Sequence, residues 1–173
     1  GKMLRVETYF KNYSNLIKYD TQRAVYNSNY RNSGFGYAKG VDVFWKDDQT
    51  IKNLEYSVAY SFIDSKRDYK NYIKEVTPGF VATNSVSVVT KYWIDSLKSQ
   101  LGLTYSFSSG RPYNDPNSID FMAEKTKSYH DLSLGWAYLL TTQKILYFGA
   151  SNLLGTNAIY GYQYADEKNT ANV

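Results

Sequence analysis

The stretch Leu54-Glu55-Tyr56-Ser57-Val58-Ala59-Tyr60-Ser61-Phe62 decides how this chain is read. On an extended backbone, successive side chains point to opposite faces, so Leu54, Tyr56, Val58, Tyr60 and Phe62 share one side and Glu55, Ser57, Ala59 and Ser61 share the other. One face is large and apolar, the other small and polar. A strand between oil and water has this pattern, and so does a sandwich strand packed on a protein core. The recurrence of the pattern along the chain separates the two.

Upstream, Leu4, Val6, Thr8 and Phe10 alternate with Arg5, Glu7, Tyr9 and Lys11, which predicts a first strand from Met3 to Tyr13, continuing through Leu16 and Ile17. Phe35 to Lys46 predicts a second, with Val41, Val43 and Trp45 opposite Asp42 and Lys46, and with Gly34, Gly36 and Gly40 permitting a bend or bulge. Downstream of the central stretch, strands are expected over Val81 to Ile94, from Leu101 to Phe107, over Tyr129 to Leu140 and over Lys144 to Leu153. The turns Asp47 to Thr50, Asp95 to Lys98 and Thr141 to Gln143 are short, whereas Tyr19 to Ser33, Lys66 to Gly79 and Gly110 to Lys127 are long polar loops, and another follows Gly155. Short and long connections alternate, so the short ones fall at one end of the sheet and the long ones at the other.

A soluble sandwich has no reason to sort its loops by end, whereas outer-membrane barrels have short periplasmic turns and long extracellular loops. The strands also exceed the ~5 to 6 residues usual in globular sheets and suit the ~9 to 11 needed to cross a bilayer at a tilt. Trp45, Trp93 and Trp136 all stand near short-turn ends, as an interfacial girdle requires, although Trp93 is out of phase with Val86 and Val88, which gives Tyr92 the girdle position on that strand. The expected fold is therefore all-β: an antiparallel, up-and-down transmembrane β-barrel segment of about seven long strands, forming an open, curved sheet by itself. Leu54, Tyr56, Val58, Tyr60, Val86, Leu101, Leu103, Leu132, Leu134, Trp136 and Phe148 are expected on the convex, lipid-facing side. Glu55, Ser57, Ser85, Ser87, Thr104, Asp131 and Ser133 are expected on the concave side.

Composition fits this reading. Aromatic residues make up 17% of the 173-residue chain and include 19 tyrosines, yet mean hydropathy is low, as it is when every second residue of a long strand is polar. The sequence contains no cysteine, which excludes disulfides and thiolate metal sites. Its 20 basic and 16 acidic residues are interspersed, so nucleic-acid binding is not indicated. No run approaches the ~18 apolar residues of a transmembrane helix. The chain opens directly into a strand pattern at Gly1-Lys2-Met3-Leu4, without a leader, and reads as part of something longer.

Four segments carry a family resemblance. They are Gly36-Tyr37-Ala38-Lys39-Gly40-Val41-Asp42, Ser57-Val58-Ala59-Tyr60-Ser61, Ser108-Ser109-Gly110-Arg111-Pro112-Tyr113-Asn114, and Asn152-Leu153-Leu154-Gly155-Thr156-Asn157-Ala158-Ile159-Tyr160-Gly161-Tyr162. In that order they resemble the last part of the barrel of TonB-dependent outer-membrane receptors, especially those of the Bacteroidetes type. The resemblance implies a barrel of about 22 strands closed by an N-terminal plug, taking up a scarce nutrient such as a siderophore, vitamin, glycan or peptide, with energy from the TonB complex. Residues 1–173 would be a partial barrel domain lying in the cell outer membrane of a Gram-negative bacterium, with plug, TonB box, earlier strands and final strand outside it. TonB would act only through that N-terminal part. The alternatives are a passive, porin-like or adhesive barrel without TonB coupling, and a soluble β-sheet binding module.

No enzyme chemistry is expected. His130 is the only histidine, and its neighbour Asp131 must point to the opposite face of the strand, so the two cannot form an orienting pair. Asp47 and Asp48 lie in a turn, where acids are routine, and neither a metal nor a cofactor site is indicated. Ligand-binding candidates are Arg111, Tyr113, Asn114, Tyr160 and Tyr162, because Arg and Asn supply directional hydrogen bonds and Tyr supplies rigid contact area. Lys66, Arg67, Lys70 and Lys74 are candidates for contact with lipopolysaccharide phosphates at the outer leaflet.

Overall fold

The computed structural model describes residues 1–20, 29–162 and 164. The parts of the expected first loop at 21–28 and of the tail after 164 lie outside the described residues. The strands are β1 (Lys2–Lys18), β2 (Arg31–Asp47), β3 (Leu54–Asp68), β4 (Asn84–Ile94), β5 (Ser99–Ser108), β6 (Pro112–Tyr113), β7 (Glu124–Lys125), β8 (Tyr129–Thr141) and β9 (Lys144–Ala150). Seven of them form one sheet in the order β1-β2-β3-β4-β5-β8-β9, and β6 with β7 makes a separate hairpin inside the long loop after β5. Every ladder is antiparallel. A single isolated bridge, between Lys18 and Lys70, runs parallel; it ties a loop residue to the end of β1 and belongs to no strand pair.

Register settles the faces. Val6, Val43, Tyr60, Val86, Phe107 and His130 stand opposite one another in one row, and Leu4, Trp45, Val58, Val88, Tyr105 and Leu132 form the next row of the same face. Arg5, Phe44, Ala59, Ser87, Ser106 and Asp131 make the intervening row of the other face. Every residue assigned to a face from the sequence lies in a row with the others assigned to that face. Two hollows, of about 440 Å³ beside Asp42, Phe44 and Ser61 and about 180 Å³ beside Thr104, Ser133 and Gly135, open on the small polar face, which makes it the concave one.

The apolar band crosses these rows obliquely. On β1 it tops out at Phe10, whose row passes through Lys39 to Asp64, already polar on β3. At the other side of the sheet the row Leu54, Tyr92, Leu101, Trp136 and Phe148 is still apolar. A band perpendicular to a membrane normal slants across hydrogen-bonded rows only if the strands are tilted, the stagger that barrel closure demands. Among the described residues nothing covers this band. Apart from Pro78 and Pro112, the only buried apolar side chains among the described residues are Ala38 and Val81, while Leu134 is 43% exposed and Phe148 58%.

The short turns are built by side chains. Asp47 accepts hydrogen bonds from the backbone N–H groups of Gln49 (2.8 Å) and Thr50 (2.9 Å), closing the first. In the second, a 3₁₀ turn over Asp95–Leu97 ends on Lys98 in the left-handed region, φ 46°. Asp95 there accepts hydrogen bonds from Asn53 Nδ2 (2.7 Å) and from Trp93 Nε1 (2.9 Å). Trp93 is therefore on the concave face opposite Gln100, and Tyr92, opposite Leu101, takes the outward girdle position with Trp45 and Trp136. Trp136 stacks on Phe148, ring centroids 5.5 Å apart.

Several expected boundaries move. β3 runs on to Asp68, which places Lys66 and Arg67 in a strand and not in the loop, because β2 keeps pairing with it as far as Phe35. β4 starts at Asn84 and β9 ends at Ala150. One bulge lies in β1, where Asn15 has φ 56° between the pairs Tyr13–Gly36 and Leu16–Gly34, and a second lies in β2 beside Gly34, where Arg31 to Gly34 faces the shorter Lys18 to Leu16. Gly40 is needed for another reason: a Cβ there would meet the Tyr9 ring and the Phe62 carbonyl.

Candidate functional site

The long loops gather at the end of the sheet away from the short turns, and there they fold on one another. After β3 the chain turns back so that Lys70 N donates to Ile17 O (2.8 Å) and Tyr19 N donates to Lys70 O (3.0 Å), fixing Lys70 beside the end of β1 despite its φ of 52°. Tyr69, Tyr72 and Phe121 stack edge to face, with centroids 4.9 and 5.2 Å apart, joining this loop to the one after β5. Burial pushes the Tyr72 hydroxyl up to about 12, and neighbouring Tyr69 adds to the shift, so Tyr72 stays neutral and able to donate.

The β6–β7 hairpin holds the other wall. Arg111 N donates to Thr126 Oγ1 and Thr126 N to Arg111 O, both at 2.9 Å, locking the base of the hairpin. A side chain on Gly110 would overlap the Thr126 carbonyl, so glycine is required by the close approach of the two arms. The Arg111 guanidinium lies 4.5 Å from the centroid of Tyr160, and Tyr113 meets Tyr162 at 4.7 Å. Tyr164 lies beside Tyr113 and Asp115, and desolvation together with these neighbours holds its hydroxyl pKa above the usual tyrosine value.

Between these walls is a shallow hollow of about 410 Å³ whose lining includes Tyr69, Lys70, Tyr72, Phe80, Arg111, Tyr113 and Tyr160. Four of the five ligand-binding candidates are thus brought together: Arg111, Tyr113 and Tyr160 at the hollow and Tyr162 against Tyr113. Asn114 is exposed and does not line it. Tyr72 and Phe80 are not among the residues picked from the sequence, and Lys70 is among them only as a lipopolysaccharide contact. Their loop is rich in charge, and only the density of rings at Tyr69, Tyr72 and Phe80 signalled more than solvation.

The four basic residues expected at the outer leaflet separate. Lys66 pairs with Tyr37 in a convex-face row. Arg67 points to the concave side, its guanidinium 4.2 Å from the Tyr13 centroid and 5.2 Å from that of Phe80, with Nε buried and without a hydrogen-bond partner among the described residues. Lys70 lines the hollow, and Lys74 forms an ion pair with Asp120 at 3.2 Å. His130 and Asp131 point to opposite faces. His130 sits on the convex side, Nδ1 within 2.8 Å of the Tyr105 hydroxyl, and Asp131 on the concave side accepts from Ser133 at 3.0 Å.

A seven-stranded up-and-down sheet with an uncovered apolar outer face, a small polar inner face, tilted strands and loops sorted by end is a segment of a transmembrane β-barrel. Among solved structures the chain is similar to the outer membrane transporter YddB from Escherichia coli, with a TM-score of 0.67 at 10% sequence identity. The match covers 94% of this chain and 28% of that one. No protein-family model and no curated protein matches the sequence. The likeness is therefore one of fold, that of part of an outer-membrane transporter barrel, and it gives no support to the Bacteroidetes type in particular.

Proposed function

We propose that the chain is part of the barrel of a TonB-dependent receptor in the outer membrane of a Gram-negative bacterium, taking up a scarce nutrient with energy supplied through the TonB complex. The observation that carries this reading is the convergence of Arg111, Tyr113, Tyr160 and Tyr162 at the long-loop end of a membrane-spanning sheet, where an incoming ligand is first met. The barrel likeness to an outer membrane transporter supports transport as the class, and the sequence resemblance supports TonB coupling. Lipid contacts the convex band. Lipopolysaccharide phosphates meet Lys66, whose strand emerges above Phe62 on that face.

The test uses the complete polypeptide in cells with and without a working TonB complex, offered siderophores, vitamins, glycans and peptides in turn. One of these is expected to be accumulated only where TonB works, and Arg111→Ala with Tyr113→Ala is expected to weaken its binding while the amount of barrel inserted in the outer membrane is unchanged. Accumulation independent of TonB would replace this reading with the passive, porin-like one. Lost insertion with unchanged affinity in the surviving fraction would assign Arg111 and Tyr113 to the fold.

A further inference from the structure

We infer that the loop hollow takes an anionic ligand bearing a flat ring, with Lys70 and Arg111 as its counter-charges. This rests on the reading of the long-loop end as the ligand-meeting end and adds the chemical class of what is met.

Among the described residues, six of the eleven cations on the seven-stranded sheet are matched. Lys2 pairs with Asp47 at 3.7 Å, Lys39 with Asp64 at 3.3 Å, and Lys46 and Lys91 share Glu55 at 3.0 and 3.8 Å. In the loops Lys74 has Asp120. Lys70 and Arg111 have no carboxylate within ion-pair distance among the described residues. Each is held on a ring instead: Lys70 Nζ is 5.1 Å from the Tyr69 centroid and the Arg111 guanidinium is 4.5 Å from that of Tyr160. A ring face positions a cation without neutralising it or using up its N–H donors.

Both positions are also fixed before any ligand arrives. The backbone of Lys70 is clamped to β1 on both sides, and that of Arg111 is clamped to Thr126. Two unneutralised cations held against rings in one hollow favour a ligand whose charge is negative and whose flat face can stack. A neutral ligand would use the rings and leave both charges unanswered, and a cation would be repelled. Phe80, which lines the hollow, packs against the guanidinium of Arg67 on the concave side, away from the convex face that outer-leaflet phosphates would meet.

The probes are 2-naphthoate and its uncharged analogue 2-naphthamide, titrated calorimetrically into the complete polypeptide in detergent, with empty micelles subtracted. Naphthoate is expected to bind about tenfold or more tightly than naphthamide, the scale of one charge-assisted hydrogen bond. In the double variant Lys70→Met, Arg111→Met, naphthoate should fall to the naphthamide level while naphthamide changes by less than about twofold. Both substitutions lie outside the strands, and heat-modifiable migration of the folded barrel on a gel checks that insertion is kept. Equal affinity for the two probes, or a naphthoate preference that survives in the double variant, overturns the charge assignment and leaves the ligand-meeting end standing. Binding of neither probe overturns both.

Discussion

Val88→Arg is expected to destabilise the complete barrel in lipid vesicles by about 2–4 kcal/mol, while Ser87→Arg, one residue away, changes stability by no more than about 1 kcal/mol. Val88 stands between Val58 and Tyr105, in the middle of the apolar band, with no protein layer above it among the described residues. An arginine there must sit in hydrocarbon or drag water into it, and the cost is greatest near the midplane. Ser87 stands between Ala59 and Ser106 on the concave face and lines the hollow of about 440 Å³, where a long side chain has room and water. Urea unfolding monitored by tryptophan fluorescence reads the difference. Equal effects at the two positions would mean that the faces do not differ in solvent.

Residues 1–173 alone are expected to associate in the absence of detergent and to become monodisperse in its presence. The outward rows expose Val6, Phe10, Tyr60, Leu101, Leu103, Leu134, Trp136 and Phe148 to whatever surrounds the sheet. Contiguous apolar surface on that scale self-associates in water. The edges add to this, because β1 presents a 17-residue strand and β9 a second one, each with an unpaired side open to pairing with another chain. Size-exclusion chromatography coupled to light scattering distinguishes the outcomes. A monodisperse monomer without detergent that melts cooperatively would make the chain a soluble β-sheet module.

The faces were legible in the sequence because a strand has a period of two and the central stretch keeps it: Leu54 to Phe62 alternates without exception, and register carries the same parity to Phe10 on one side and Phe148 on the other. Strand ends were less legible. Beyond Phe62 the residues Asp64, Lys66 and Asp68 lose the apolar signal, yet pairing with β2 continues, because backbone hydrogen bonds do not depend on which solvent the side chains meet. The β6–β7 hairpin is two residues long on each arm, too short for any periodicity, and is held by the exchange between Arg111 and Thr126. Half the hollow was legible for a similar reason. Arg111, Tyr113, Tyr160 and Tyr162 stand in motifs, whereas Lys70 and Tyr72 belong to it only because their loop bends back onto the end of β1.

One face of this sheet suits lipid and the other water, and the absence of cysteine from residues 1–173 suits them to spin labelling. Single cysteines placed by Tyr56→Cys, Ser57→Cys, Val58→Cys, Ala59→Cys and Tyr60→Cys in the complete polypeptide, reconstituted in vesicles, would carry nitroxides whose relaxation by oxygen and by a water-soluble nickel chelate is measured in turn. Oxygen should dominate at positions 56, 58 and 60 and the nickel chelate at 57 and 59, a period of two along the strand. Uniform access of the nickel chelate along the stretch, or relaxation without alternation, would mean that both faces meet the same solvent and that the strand does not line a lipid boundary.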